Sequence, residues 1–208
     1  PERAYAHLYF TANKRSVALD PARAEDQDAF SRLVASADVL IETAPVAQRG
    51  ARGLAPEALR ALNPGLIHAS ITPFGPEGEW RDWRANDLVA EAASGLLWLC
   101  GERRGPPWHG SGRPAYSMAS LAAATGIMAA LTAREKRGTG APGAHLEVAL
   151  QEAASMAAIQ SATPTFWSWF GRIPGRPGLS NALQCRDGGW VGLLVRPVSF
   201  AKFRDWVI

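Results

Sequence analysis

Two periods of apolar residues alternate along the first hundred positions, one suited to strands and one to helices. Lys14-Arg-Ser-Val-Ala-Leu19 reads as a short strand. Asp20 and Pro21 follow as N-cap and first residue of a helix whose inner face carries Phe30, Leu33 and Val34. Asp38-Val-Leu-Ile41 is an apolar strand, Pro56 opens a helix that stops at Asn63-Pro64, and Leu66-Ile-His-Ala-Ser-Ile71 is a third strand. Apolar strands separated by helices predict an α/β fold: a Rossmann-like parallel sheet covered on both faces. A Gly-, Pro- and Trp-rich loop (73–85) leads into a helix from Asp87 to about Leu99, and a second loop (101–114) leads into an unusual segment.

That segment, Arg113 to Leu131, carries no charge after its first residue and is built from small and apolar side chains. Leu121, Ala124, Met128 and Leu131 recur at helical spacing, which predicts one packed face. With small residues elsewhere, the helix is expected to be central, buried and closely surrounded. Its smooth run from Met118 spans 14 residues, short of the roughly 20 a membrane span needs, so no membrane partner is expected. His145 to Leu150 returns as a strand, and an Ala-rich helix runs from Gln151 to about Ala162. The large domain is therefore expected over 1–162. The aromatic stretch 163–181 reads as a linker, and 182–208 as the start of a small α+β domain, opened by a hairpin with Asp187-Gly-Gly at its turn.

Composition narrows the function. The 208 residues carry a net charge of +3 with the cations scattered, which disfavours nucleic acid and suits small anionic ligands. Cys100 and Cys185 stand apart and outside any metal-ligand spacing; a reducing, cytoplasmic setting is expected, with no disulfide framework and no metal. No dinucleotide fingerprint or Walker loop is present. His7, His68, His109 and His145 fall on unrelated segments and suggest no triad. Lys14 and Arg15 could hold a phosphate or serve as a solvated strand end. Trp80, Trp83, Trp167 and Trp169 could stack a purine, though packing is the more ordinary use. The chain opens without Met and stops at Trp206-Val-Ile208, so a fragment of a longer protein is expected.

Taken in order, six blocks carry a resemblance: Lys14 to Asp20, Ala37 to Glu42, Gly53 to Ile67, Ala69 to Gly75, Asn86 to Gly95, and Gly126 to Leu131 with Arg137 to Gly140. They resemble the class III CoA-transferases of the formyl-CoA and carnitine CoA-transferase type. Members of that family are longer at both ends. The resemblance implies acyl-CoA and a carboxylate as substrates, no permanently bound cofactor, and an interlocked homodimer or a heteromer with an active paralogue. In the family an Asp carboxylate attacks the acyl-CoA thioester to give a mixed anhydride, and the released thiolate then attacks the enzyme carbonyl.

The family places that Asp at the leading end of the smooth helix. Counting back from Gly126 puts Tyr116 there; counting from Gly112 and Pro114 puts Ser117 there. No Asp or Glu occurs from Arg103 to Arg134. A serine ester would be a sink, and an enzyme-CoA thioester cannot form on either hydroxyl. The family's Asn-Phe-Arg-Pro-Gly after the second strand is replaced by Thr43-Ala-Pro-Val-Ala47. By resemblance Lys14, Arg15 and Arg84 remain as CoA-binding cations and Asp87 as an auxiliary acid. Asn86 and Tyr116 stand where related racemases carry His and Asp, so racemisation is disfavoured. Three readings follow: a degenerate or non-catalytic transferase subunit, a transferase that recruits a carboxylate such as Asp87, and an acyl-CoA-binding or regulatory homologue without turnover.

Overall fold

The computed structural model describes residues 2–101, 105–159, 171, 182–192 and 200–207. The elements are α1 (Glu2–Thr11), α2 (Ala24–Ser36), β1 (Val39–Glu42), a short 3-10 turn (Val46–Gln48), α3 (Pro56–Leu62), β2 (Ile67–Thr72), α4 (Asp87–Ser94), α5 (Leu96–Leu99), α6 (Pro114–Arg137), β3 (Ala144–Ala149), α7 (Leu150–Ile159), β4 (Ala182–Gln184), β5 (Trp190–Gly192) and α8 (Phe200–Val207). The chain forms two compact units, 1–70 with 127–146 and 71–126 with 147–208. The sheet runs β1-β2-β3, with β1 parallel to β2 and Val39 opposite Ile67.

In the first unit, Val34 of α2, Leu59 of α3 and Leu66 make one core cluster with Phe30 and Leu40 against it. Ile67, Ala69 and Ile127 make another, flanked by Val39, Leu131 and Leu146. Central β2 is buried almost throughout, whereas edge strand β1 leaves Ile41 open. The loop before β3 lies hard against the residues before β2: Gly143 N–H donates to Pro64 O at 2.8 Å. A Cβ on Gly143 would stand 1.8 Å from the Leu66 carbonyl oxygen, so only glycine fits. Arg134, in the last turn of α6, donates to Gly65 O (2.7 Å) and Asp38 Oδ1 (2.6 Å).

In the second unit, Ala90, Ala115, Ala119, Leu150, Ala153 and Ala154 pack together. Alanines at these contacts let α4, α6 and α7 approach closely. Asn86 caps α4 by accepting from Val89 N–H at 3.1 Å.

Several expectations are corrected. Residues 14–20 form no strand. Lys14 Nζ instead donates to Phe10 O at the end of α1, a helix the pattern did not foretell. The second helix starts four residues after Asp20, because Asp20 Oδ1 accepts from Ala22 N–H (2.9 Å) and holds its own turn. Leu33 lies outside the core. The helix from Asp87 breaks at Gly95, whose φ of +81° is left-handed. The largest correction concerns α6. Its packed stripe is Ala115, Ala119, Ala123 and Ile127, while Leu121 and Met128 are 66% and 61% exposed. Of the predicted face only Leu131 packs. The alanines settle close to neighbouring backbone, and the larger side chains turn outward. At 24 residues α6 is also long and apolar enough to cross a membrane by length and composition, since the helix extends beyond the uncharged run.

The predicted hairpin forms, with β4 antiparallel to β5 and Gly188 at φ +85° in the turn. The predicted linker lies outside the described residues apart from Gly171.

Candidate functional site

Tyr116 stands in the first turn of α6, where its N–H is one of the donors that no helical carbonyl can satisfy. Asp87, the first residue of α4, fills that role: its Oδ1 accepts from Tyr116 N–H at 2.8 Å. The fold thus joins two of the residues singled out in the sequence. It does so through the backbone of 116, leaving the Tyr116 ring 40% exposed. Ser117 turns its hydroxyl back onto Arg113 O at 3.0 Å. Lys14 and Arg15 are exposed in the first unit and Arg84 is exposed in the second.

Around Asp87 lie two groups that sequence reasoning did not connect to it. Glu91, one turn along α4, is fully buried, and its Oε2 accepts from Gly110 N–H at 3.2 Å. His109 Nε2 lies 3.0 Å from Glu91 Oε1 and 3.3 Å from Asp87 Oδ2. Gly110 permits this approach, because a Cβ there would stand 2.8 Å from Pro114 Cγ. Burial pushes the Glu91 carboxyl above the ordinary carboxylate range. The hydrogen bond it can share with Asp87 when protonated, and the charge of Asp87, push the same way; Gly110 N–H and His109 pull it down. The available signal was the pair of acids four residues apart on one predicted helix; nothing local tied His109 to them.

A second polar network lies in the first unit. Arg49 Nε is 3.0 Å from Glu42 Oε1, both buried, and Glu42 Oε2 accepts from Ala44 N–H at 2.5 Å. His68 and His145, far apart in sequence, stack with ring centroids 4.4 Å apart, and Ser70 Oγ lies within 3.2 Å of both Nε2 atoms. Ser70 and His68 are buried and His145 is half-buried, so this constellation sits within the sheet. Ala44 lies in the segment Thr43–Ala47 that by resemblance replaces the family's Asn-Phe-Arg-Pro-Gly, and Arg49 follows two residues beyond it. Trp80 and Trp83 stack on each other, with centroids 5.5 Å apart, instead of leaving a slot between them. Trp167 and Trp169 lie outside the described residues.

The first two units of chemistry, an uncharged helix start and a carboxylate–histidine cluster, can be set beside known proteins. The description CoA-transferase family III matches residues 1–207. The chain is 34% identical to the succinyl-CoA:(R)-benzylsuccinate CoA-transferase subunit BbsE of Thauera aromatica over 186 residues, 88% of this chain and 44% of that protein. It is 32% identical to the formyl-CoA:oxalate CoA-transferase of Streptomyces avermitilis over 149 residues, 70% of this chain and 36% of that one. Among solved structures, a CaiB/BaiF family protein from Brucella suis superposes with a TM-score of 0.78 at 28% identity, covering 93% of this chain and 52% of that one. The chain spans less than half the length of these two transferases.

Proposed function

Because the chain belongs to CoA-transferase family III, we propose that it works in the transfer of CoA between an acyl-CoA and a carboxylic acid, as the subunit that does not supply the nucleophile. The observation that carries this reading is the start of α6. Position 116 is tyrosine, position 117 is a serine bonded to its own helix, and Asp87, whose carboxylate engages the Tyr116 N–H, is buried. A carboxylate nucleophile must reach a thioester carbonyl and leave an anhydride at least as reactive as the bond it replaced. Tyr116 and Ser117 fail the second condition, and buried Asp87 and Glu91 fail the first. Recruitment of Asp87 as a substitute nucleophile is accordingly disfavoured.

An active paralogue carrying the acid is the partner this arrangement calls for. The outward face of α6, with Met118, Leu121 and Met128 exposed, supplies an apolar surface for that subunit. The name of the Thauera protein, a subunit of its transferase, supports the same reading. The substrates are an acyl-CoA and a carboxylate, and the setting is cytoplasmic. A free-standing acyl-CoA-binding or regulatory role is not favoured, because the relatives are transferases.

The test is co-purification. The full-length protein is expected to copurify with a family paralogue that carries the acid, and the complex to exchange CoA between acyl-CoA and free acid. Failure of any such paralogue to associate would contradict the subunit assignment.

A further inference from the structure

We propose that Asp87, Glu91 and His109 form a binding site for one divalent transition-metal cation of the Zn2+ or Mn2+ type. The inference stands whether or not the chain takes part in CoA transfer, because it rests on the local geometry of the second unit.

Each carboxylate has its two oxygens in different roles. Asp87 Oδ1 accepts from Tyr116 N–H and Glu91 Oε2 from Gly110 N–H. The other two, Asp87 Oδ2 and Glu91 Oε1, are buried, and with both acids ionised no group among the described residues donates a hydrogen bond to either. Both lie beside His109 Nε2, at 3.3 and 3.0 Å, and the three atoms all fall within 4.8 Å of one another. A cation about 2.1 Å from nitrogen and oxygen ligands holds neighbouring ligand atoms roughly 3.0 Å apart at octahedral angles and roughly 3.4 Å apart at tetrahedral ones. The two spacings from His109 Nε2 fit these values.

The surroundings also suit a cation. The backbone N–H groups that hold Asp87 Oδ1 and Glu91 Oε2 fix the carboxylates from behind, as outer-shell partners do in metal centres. Two buried carboxylates against one imidazole leave negative charge that a divalent ion would compensate. Two oxygens and one imidazole nitrogen are a donor set taken by zinc, manganese and iron in preference to soft metals. His109 is 43% exposed on its side chain, so one side of the cluster opens to solvent. Ions can enter there, and coordination positions remain for water or a ligand oxygen.

The experiment is calorimetric titration of the full-length protein, stripped with a chelator and dialysed, with Zn2+ and with Mn2+. Glu91→Gln and His109→Gln are carried in parallel, their folding checked by circular dichroism. One site per chain is expected, for at least one of the two cations, weakened at least about tenfold in each variant. Absence of a stoichiometric site for both cations, or one that His109→Gln leaves unchanged, overturns the proposal. X-ray absorption of the zinc-loaded wild type serves where a variant does not fold. Nitrogen and oxygen scatterers at about 2.0–2.2 Å, one of them imidazole, support the site, and sulfur scatterers or no imidazole overturn it.

Discussion

At the scale of single residues, the structure turns on what a side chain finds when it is buried. Glu91 is the clearest case. Its proton affinity is raised first by burial, so the folded chain keeps a proton that the unfolded chain gives up. Stability is therefore lost as pH rises from the ordinary glutamate range through the folded value. Glu91→Gln holds no proton to lose. With a chelator present, its melting temperature is expected to fall less than that of the wild type between pH 4.5 and pH 8, as followed by circular dichroism; parallel curves would contradict the assignment. Gly143 gives a steric counterpart. With a Cβ directed 1.8 Å from the Leu66 carbonyl oxygen, Gly143→Ala must displace backbone on the way into β3. Its cost is expected at or beyond the upper end of the ordinary range of about 0.5–3 kcal/mol, read by denaturant unfolding. Neither effect was legible in the sequence. Both depend on contacts with residues far along the chain: His109 and Gly110 for Glu91, Leu66 for Gly143.

At the scale of elements, local chemistry decided what could be read in advance. Strands β1 and β2, helix α3 with Pro56 at its start, and the Asp187-Gly-Gly hairpin were legible, because unbroken apolar runs, a helix-opening proline and a glycine turn act over a few residues. The rod α6 was legible as a helix but not in its orientation. Periodicity ranks side chains by hydrophobicity, whereas packing within each unit selects those small enough for close backbone approach. Hence Ala115, Ala119, Ala123 and Ile127 pack, and Leu121 and Met128 stand out. Two opposite substitutions follow. Ala119→Leu overfills the contact with Ala90 and Ala154 and is expected to destabilise the chain by about 1–3 kcal/mol in chemical unfolding. Leu121→Glu is expected to leave unfolding nearly unchanged while weakening association with a partner subunit by tenfold or more, measured by sedimentation velocity or light scattering. If Leu121→Glu unfolds the chain instead, α6 packs differently from the arrangement described.

At the scale of the whole molecule, the family was legible from ordered motifs. The site was legible only in part. The fold joins Asp87 to the Tyr116 N–H and adds Glu91 and His109, and it leaves Lys14 and Arg15 outside any strand. These outcomes share one cause: contacts between loops and helices far apart in sequence leave no periodic trace. The central claim is that this subunit cannot form a covalent acyl or CoA intermediate of its own. Its most direct test is a CoA-exchange assay on the full-length protein purified without any paralogue, given acyl-CoA and an acceptor acid and quenched with hydroxylamine. The account predicts no exchange and no hydroxamate on the chain, with exchange appearing when an acid-bearing paralogue is added. Robust exchange by the isolated protein, or a hydroxamate on any of its own side chains, would contradict it.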